Sequence, residues 1–492
     1  MQYSVPPDYE PVTPLPRHRP AGTRELADGG DRAAAGSEAG HEARPAPPTD
    51  AEMPPLSRRG HALSYAGLFL FTTLAYVRPY ELHPAFLFLS SAAFYVALVT
   101  LACYIPSQLS AENSLTIWTR EVKLVLLLAL LCLLSVFQAN DPGQSWESFW
   151  TYFKIVIMFI VMVNVVRTEL RLRGMLWLAL GTSFVVSAGA LHDYREGQFR
   201  AAGVRIEGVL GGLFENPNDL ALQLVIMIPL AWGLMLAARG VFKKLLYAVC
   251  ALTMVGGVVA TFSRGGFLGL LCAAFLLLWK LGGRRNRLAV VVLAAVLAAG
   301  FVALSPSGYG SRLFSAVDTD RDTGSVTARY GLLQRSLYVT LTHPLMGVGI
   351  GNFPQVSVRD QVSHNAYTQV SAEVGIPAMA VYVLFLLAPL RRLRRVERET
   401  GRPVSGRRRS RHYYLAVSLQ ASLLGYMVSS FFASVAFHWY VYYLIGYALC
   451  LARLYQTAGP GAGGGLRAPG GAEAAAAPRQ DNWGVETEWS RS

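Results

Sequence analysis

The chain has 492 residues, 53% of them hydrophobic and 15% charged, with a formal net charge of +13 and a mean hydropathy of +0.34. Apolar content this high, gathered into long runs, excludes a soluble globular chain and indicates a multi-spanning membrane protein. The basic excess sits in short clusters between those runs, as topology signals do, and so argues against nucleic-acid binding.

Residues 1–57 are rich in Pro, Ala, Gly and charge, lack the apolar core of a signal peptide, and read as a disordered cytoplasmic tail. Residues 457–492 read in the same way. Between them, 58–456 form the predicted transmembrane domain. Its apolar runs lie at 62–77, 84–105, 121–139, 150–166, 174–191, 219–238, 242–262, 265–279, 288–304, 373–390, 413–434 and 439–455. The expected fold is all-α and polytopic, with 12 transmembrane helices. All five cysteines fall inside these runs, so neither a disulfide framework nor a metal-ligand spacing is present.

With the N-terminus inside, short inner loops hold 22 Lys and Arg, including ten arginines between Arg391 and Arg411, and short outer loops hold five. That bias puts both termini in the cytoplasm. Arg264 then stands on the outer side against the rule, in the turn that splits an apolar run from about Leu245 to Trp279 into two spans of about 20 residues or fewer. Gly265 and Gly266 beside it permit a sharp turn and close approach of a ligand to backbone N–H groups. Arg205 is also outside, in "RIEGVLGGLFENPNDLAL", where "NPND" starts a helix with turn and cap residues. Glu215 and Asp219 near it are candidate acids, caps or ion-pair partners.

Segment 305–372, between the ninth and tenth helices, is the long outer loop. In "TARYGLLQRSLYVTL" the spacing of Tyr330, Leu333, Leu337 and Leu341 behind a Thr327 N-cap predicts an amphipathic helix at the membrane surface. The glycines of "GVGIG" resemble a phosphate loop only superficially, because no Lys-Ser/Thr follows and no strand precedes. Further on, a tenth helix starting at Ser363 would carry His364, Thr368 and Ala372 on one face, with Glu373 one step deeper. A histidine can accept a proton from a hydroxyl near neutral pH, which arginine cannot. His343, His438 and Asp193 follow no such pattern and read as structural.

Three segments, "RIEGVLGGLFENPNDLA", "TFSRGG" and "HPLMGVGIGNF" followed by "SHNAYTQVSAEVGIP", together resemble the O-antigen ligase and polymerase superfamily of bacterial inner-membrane glycosyltransferases. The resemblance implies a dozen helices with a large late periplasmic loop. It implies transfer of a glycan from a polyprenyl-diphosphate carrier to a hydroxyl of lipid A core, a glycan or a protein, with no cofactor, nucleotide sugar or essential metal. It puts the catalytic groups at Arg205, Arg264 and His364 and a further arginine at Arg329. Asn216, Asn365 and Glu373, in the same motifs, are expected with Arg329 in substrate binding.

The residue types suit that chemistry. A diphosphate is a good leaving group that needs charge neutralisation, which fixed guanidiniums provide through paired hydrogen bonds. His364 would deprotonate or orient the acceptor hydroxyl for in-line attack with inversion. The rival reading is a transporter or flippase of lipid-linked oligosaccharides that uses the same arginines without bond making; the absence of an internal repeat counts against it.

Overall fold

The computed structural model describes residues 60–78, 84–89, 91–198, 206, 216–282, 325–357, 360–401 and 409–458. The chain divides into two units, Met1–Glu52 and Met53–Ser492, and every described residue belongs to the second. Among the described residues there is no strand. The helices are α1 (Ala62–Val77), α2 (Ala92–Glu112), α3 (Arg120–Val136), α4 (Pro142–Val165), α5 (Glu169–Arg195), α6 (Pro217–Ala237) and α7 (Val241–Ala260). They continue with α8 (Arg264–Leu281), α9 (Ser325–Thr342), α10 (Ala366–Val374), α11 (Ile376–Thr400), α12 (Arg411–Ser429) and α13 (Trp439–Ala458). Single turns of helix lie at Pro84–Leu89, Phe353–Val356 and Ser430–Phe432.

Each predicted span except 288–304 overlaps a described helix, with 84–105, 373–390 and 413–434 each overlapping two; 288–304 lies outside the described residues, as do 305–324 of the predicted loop. Eight of the described helices are long and apolar enough to cross a membrane. α1 is apolar but shorter. The ends are written in local sequence. Asp141 caps α4 by accepting from Gly143 and Gln144 N–H, with Pro142 at the first helical position, and Thr119, Thr168 and Ser410 cap α3, α5 and α12.

α6 is the central helix, buried along most of its length, with α7 and α12 against it. Small residues set helix contacts here and around it, α6 to α12, α7 to α5 and α8 to α12. A Cβ on Gly233 would fall 2.0 Å from Ser418 Oγ, one on Gly257 2.2 Å from Ser187 Oγ, and one on Gly269 1.9 Å from Ser429 Oγ. Helices in lipid gain no hydrophobic drive from association, so close backbone approach of this kind supplies the packing energy.

The tenth predicted helix needs correction. The segment is two helices, α10 and α11, broken at Gly375 with φ +99°. Thr327 is not an N-cap either, since α9 already begins at Ser325. In α9 the expected apolar stripe faces away from the protein: Tyr330, Leu337 and Leu341 are exposed, while Leu332, Ser336, Val339 and Thr340 are buried. The inward face is mixed: Leu332 and Val339 pack with Val348, Phe353 and Ala372, and the hydroxyls between them bond to α10 and the loop before it, Ser336 to Ser363 at 3.0 Å and Thr340 to Ser371 at 2.8 Å.

Candidate active site

The α7–α8 turn holds Arg264 at a fixed base. Ser263 Oγ accepts from Gly266 N–H at 3.2 Å, capping α8, and donates to Asn218 Oδ1 at 2.9 Å in the first turn of α6. Phe262 takes a left-handed φ of +49° to make the turn. Arg264 is then the first residue of α8, with its side chain exposed. The two following glycines serve packing rather than ligand approach: a Cβ on Gly265 would lie 2.7 Å from Phe432 Cβ, and one on Gly266 2.6 Å from Ala221 Cβ. The guanidinium thus stands at a helix N-terminus, where the macrodipole also favours an anion.

Asn216 caps α6 by accepting from Asn218 N–H at 2.9 Å, and Pro217 follows as the first helical residue. Arg205 lies outside the described residues.

His364 precedes α10 instead of opening it, which corrects the expected helical alignment with Thr368 and Ala372. It has a left-handed φ of +54°, and Asn365 behind it caps the helix by accepting from Tyr367 and Thr368 N–H at 2.9 and 3.2 Å. The cap lets the chain turn sharply before α10, so the imidazole sits half-buried beyond the helix end. Burial, together with the positive charge of Arg329, lowers the His364 pKa from its ordinary value. Arg329 and His364 are therefore close enough to interact across the α9–α10 pair.

The glycine turn 347–351 underlies this loop. Val348 and Gly349 N–H donate to Ala372 and Glu373 carbonyls at 3.0 and 2.9 Å, and Gly351 N–H donates to Glu373 Oε2 at 3.0 Å. On its other side the turn holds the α3–α4 connection: Asn140 N–H donates to the Val348 carbonyl, Ser145 Oγ to the Ile350 carbonyl, and Asn352 and Asp141 exchange two bonds of 3.1 Å. Gly347, Gly349 and Gly351 have φ of +62°, +100° and +78°. These amides are spent on protein acceptors, so the turn is a clamp between helices and no phosphate loop. Glu373 is buried in it, and burial raises its carboxyl to about 8.

The Arg264 and His364 sides meet at residues 427–436. Ser429 Oγ donates to the Gly265 carbonyl at 3.1 Å and Phe432 seats against Gly265. From the other side, the Tyr367 hydroxyl donates to the Met427 carbonyl at 2.9 Å, its ring packs 6.3 Å from Phe431, and Ala436 N–H donates to Gln369 Oε1. His438 and Tyr440 continue the same wall, with Nδ1 and the hydroxyl 2.7 Å apart. Sequence spacing gave no reason to single out His438; "FHWYVYY" reads as an aromatic run. Among the described residues no group of three or more His, Cys, Asp or Glu is placed to hold a metal ion.

Residues 249–383 match the family of O-antigen ligases, the likeness read from the second and third sequence motifs; the first, with Arg205 and Asn216, lies outside the matched residues. That span holds Arg264, Arg329, His364, Asn365 and Glu373. No curated protein matches the chain. Among solved structures, one described under "Structural coordination of polymerization and crosslinking by a peptidoglycan synthase complex" aligns at 18% identity with a TM-score of 0.40, covering 68% of this chain and 96% of that one.

Proposed function

We propose, from the O-antigen ligase domain over residues 249–383, that this chain is a bacterial inner-membrane glycosyltransferase. It joins a glycan carried on a polyprenyl diphosphate to a hydroxyl acceptor at the extracytoplasmic face, as a ligase, a polymerase or a protein O-glycosylation enzyme. The observation that carries the reading is the shared seat at residues 427–436, against which both the start of α8, at Gly265 beside Arg264, and the start of α10, at Tyr367 just after His364, are bonded. A cationic phosphate grip and a neutral base at the same end of the bundle are what such a transfer requires.

In this reading Arg264 and Arg205 bind the diphosphate and stabilise the charge that builds on it as the anomeric carbon–oxygen bond breaks. The acceptor oxygen forms the new bond from the opposite face, and its proton passes to His364, giving inversion at the anomeric carbon. Arg329 keeps the imidazole neutral and adds to the field that attracts the donor. Asn216 borders the donor site. Asn365 and Glu373 act by holding the His364 loop, one as its cap and the other through the glycine clamp. The exposed apolar stripe of α9 suits a helix lying on the outer leaflet beside the site.

The deciding experiment is incubation of the purified full chain with lipid-linked oligosaccharide and candidate acceptors. A joined product and free diphosphate carrier are expected; donor redistribution across the bilayer with neither product would replace this reading with transport.

A further inference from the structure

The opposite end of the bundle gathers a second set of cations. α4 ends there, and its last three carbonyls are each taken by a guanidinium: Arg453 Nη1 donates to the Val163 carbonyl at 2.7 Å, Arg167 Nε to that of Asn164 at 2.7 Å, and Arg171 Nη1 to that of Val165 at 2.9 Å. Bonding to three consecutive carbonyls crowds three permanent positive charges around one helix terminus. The carboxylate bonded to this cluster among the described residues is Glu112, 2.8 Å from Arg167, and Gln108 bridges the two.

Capping of the helix dipole accounts for one N–H on each arginine. It does not account for the rest of Arg453. That side chain is 2% exposed, and its Nε and Nη2 have no hydrogen-bond partner among the described residues. Nε–H and Nη2–H form one edge of the guanidinium, two parallel donors at the spacing of two oxygens on one oxyanion. Leaving a charged, buried edge unsatisfied is strongly unfavourable. His61, buried in the same cluster, is held near pKa 4 chiefly by burial and then by the charge of Arg167, so it adds no further cation. Glu112 and Arg171 are only half-buried, which leaves the margin of the cluster open to a headgroup.

We propose that the Arg453 edge, with Arg167 and Arg171 beside it, binds a phosphate group at the membrane face opposite the transfer site. The source is the headgroup of an anionic phospholipid or free phosphate, which present the same oxygens. The assignment does not depend on the proposed transferase activity.

Native mass spectrometry of the full chain tests it, with dioleoylphosphatidylglycerol, zwitterionic dioleoylphosphatidylcholine and inorganic phosphate as separate probes. Retention of phosphatidylglycerol over phosphatidylcholine identifies a lipid source, and retention of inorganic phosphate identifies a soluble one. Either should fall about tenfold or more in Arg453→Gln, the loss expected for a charge-assisted pair of hydrogen bonds. Retention of neither probe, or equal retention in the variant, overturns the site. Should Arg453→Gln not fold, Glu112→Gln serves: it removes the competing carboxylate and should raise retention, and unchanged or weaker retention would be contrary to the proposal.

Discussion

The hydroxyl of Ser263 donates to Asn218 Oδ1 across 2.9 Å and so ties the turn bearing Arg264 to the first turn of α6. The same oxygen caps α8 through Gly266 N–H. Ser263→Ala should therefore cost about 1 kcal/mol of stability, and turnover should fall several-fold more than that loss of folded protein explains. Thermal midpoint and initial rate on one preparation separate the two effects. A Thr at 263 keeps the hydroxyl and should restore much of both.

Arg264→Lys keeps the charge and the helix start but replaces a planar fork with a point charge. Inserted protein at wild-type level with turnover down about tenfold or more is the expected result. Equal turnover in the two proteins would remove direct phosphate binding from the role of this residue.

His364 has its pKa lowered by burial and by Arg329. A base with a depressed pKa stays neutral to lower pH, so the acid limb of the rate profile should lie below the ordinary histidine value of 6.5. Arg329→Gln removes one of the two causes and should move that limb upward. His364→Gln should abolish the limb and lower rate more than donor affinity.

Gly349 has φ +100°, and a Cβ there would lie 2.3 Å from Ala139 Cβ. Gly349→Ala combines a left-handed backbone penalty of about 1–2 kcal/mol with a clash against the α3–α4 connection. Loss of thermal stability greater than that of Ser263→Ala is expected. Activity should fall as well, because the clamp also carries α10 and the His364 loop.

Glu373, whose carboxyl is raised to about 8 from 4.5, is protonated in the folded protein at neutral pH. The unfolded chain loses this proton near 4.5 and the folded chain keeps it, so the stability it contributes is full below 4.5 and falls as pH rises through about 8. Glu373→Gln mimics the protonated form and should flatten the decline of thermal midpoint between pH 6 and pH 8, an interval chosen to fall within that window. A variant with the same slope as wild type would assign the decline to other groups.

Membrane residence, the all-α class and the approximate places of most helices were legible in the sequence, because each rests on a short-range term, about 20 apolar residues to cross a bilayer; of the helix starts, the one at "NPND" was legible and the one placed at Thr327 was not. The motifs around Arg264 and His364 were legible for the same reason. Their meaning was only partly so. "GVGIG" is rejected as a phosphate loop for want of a following Lys-Ser/Thr, but only the structure shows what it does instead, its amides bonding to Ala372, Glu373 and the side chain of Ser135; Gly265 and Gly266, read as allowing a sharp turn and ligand approach, also make room for Phe432 and Ala221. A glycine's neighbour on another helix leaves no trace in its own segment.

Tertiary structure alone decided that residues 427–436 join the two halves of the candidate site and that Arg453 reaches the end of α4 with one edge unused. Periodicity and composition act along the chain, where the cost of a local conformation is set by adjacent residues. Which distant carbonyl meets which guanidinium is set by helix packing, and there small residues permit an approach distance that no local pattern encodes.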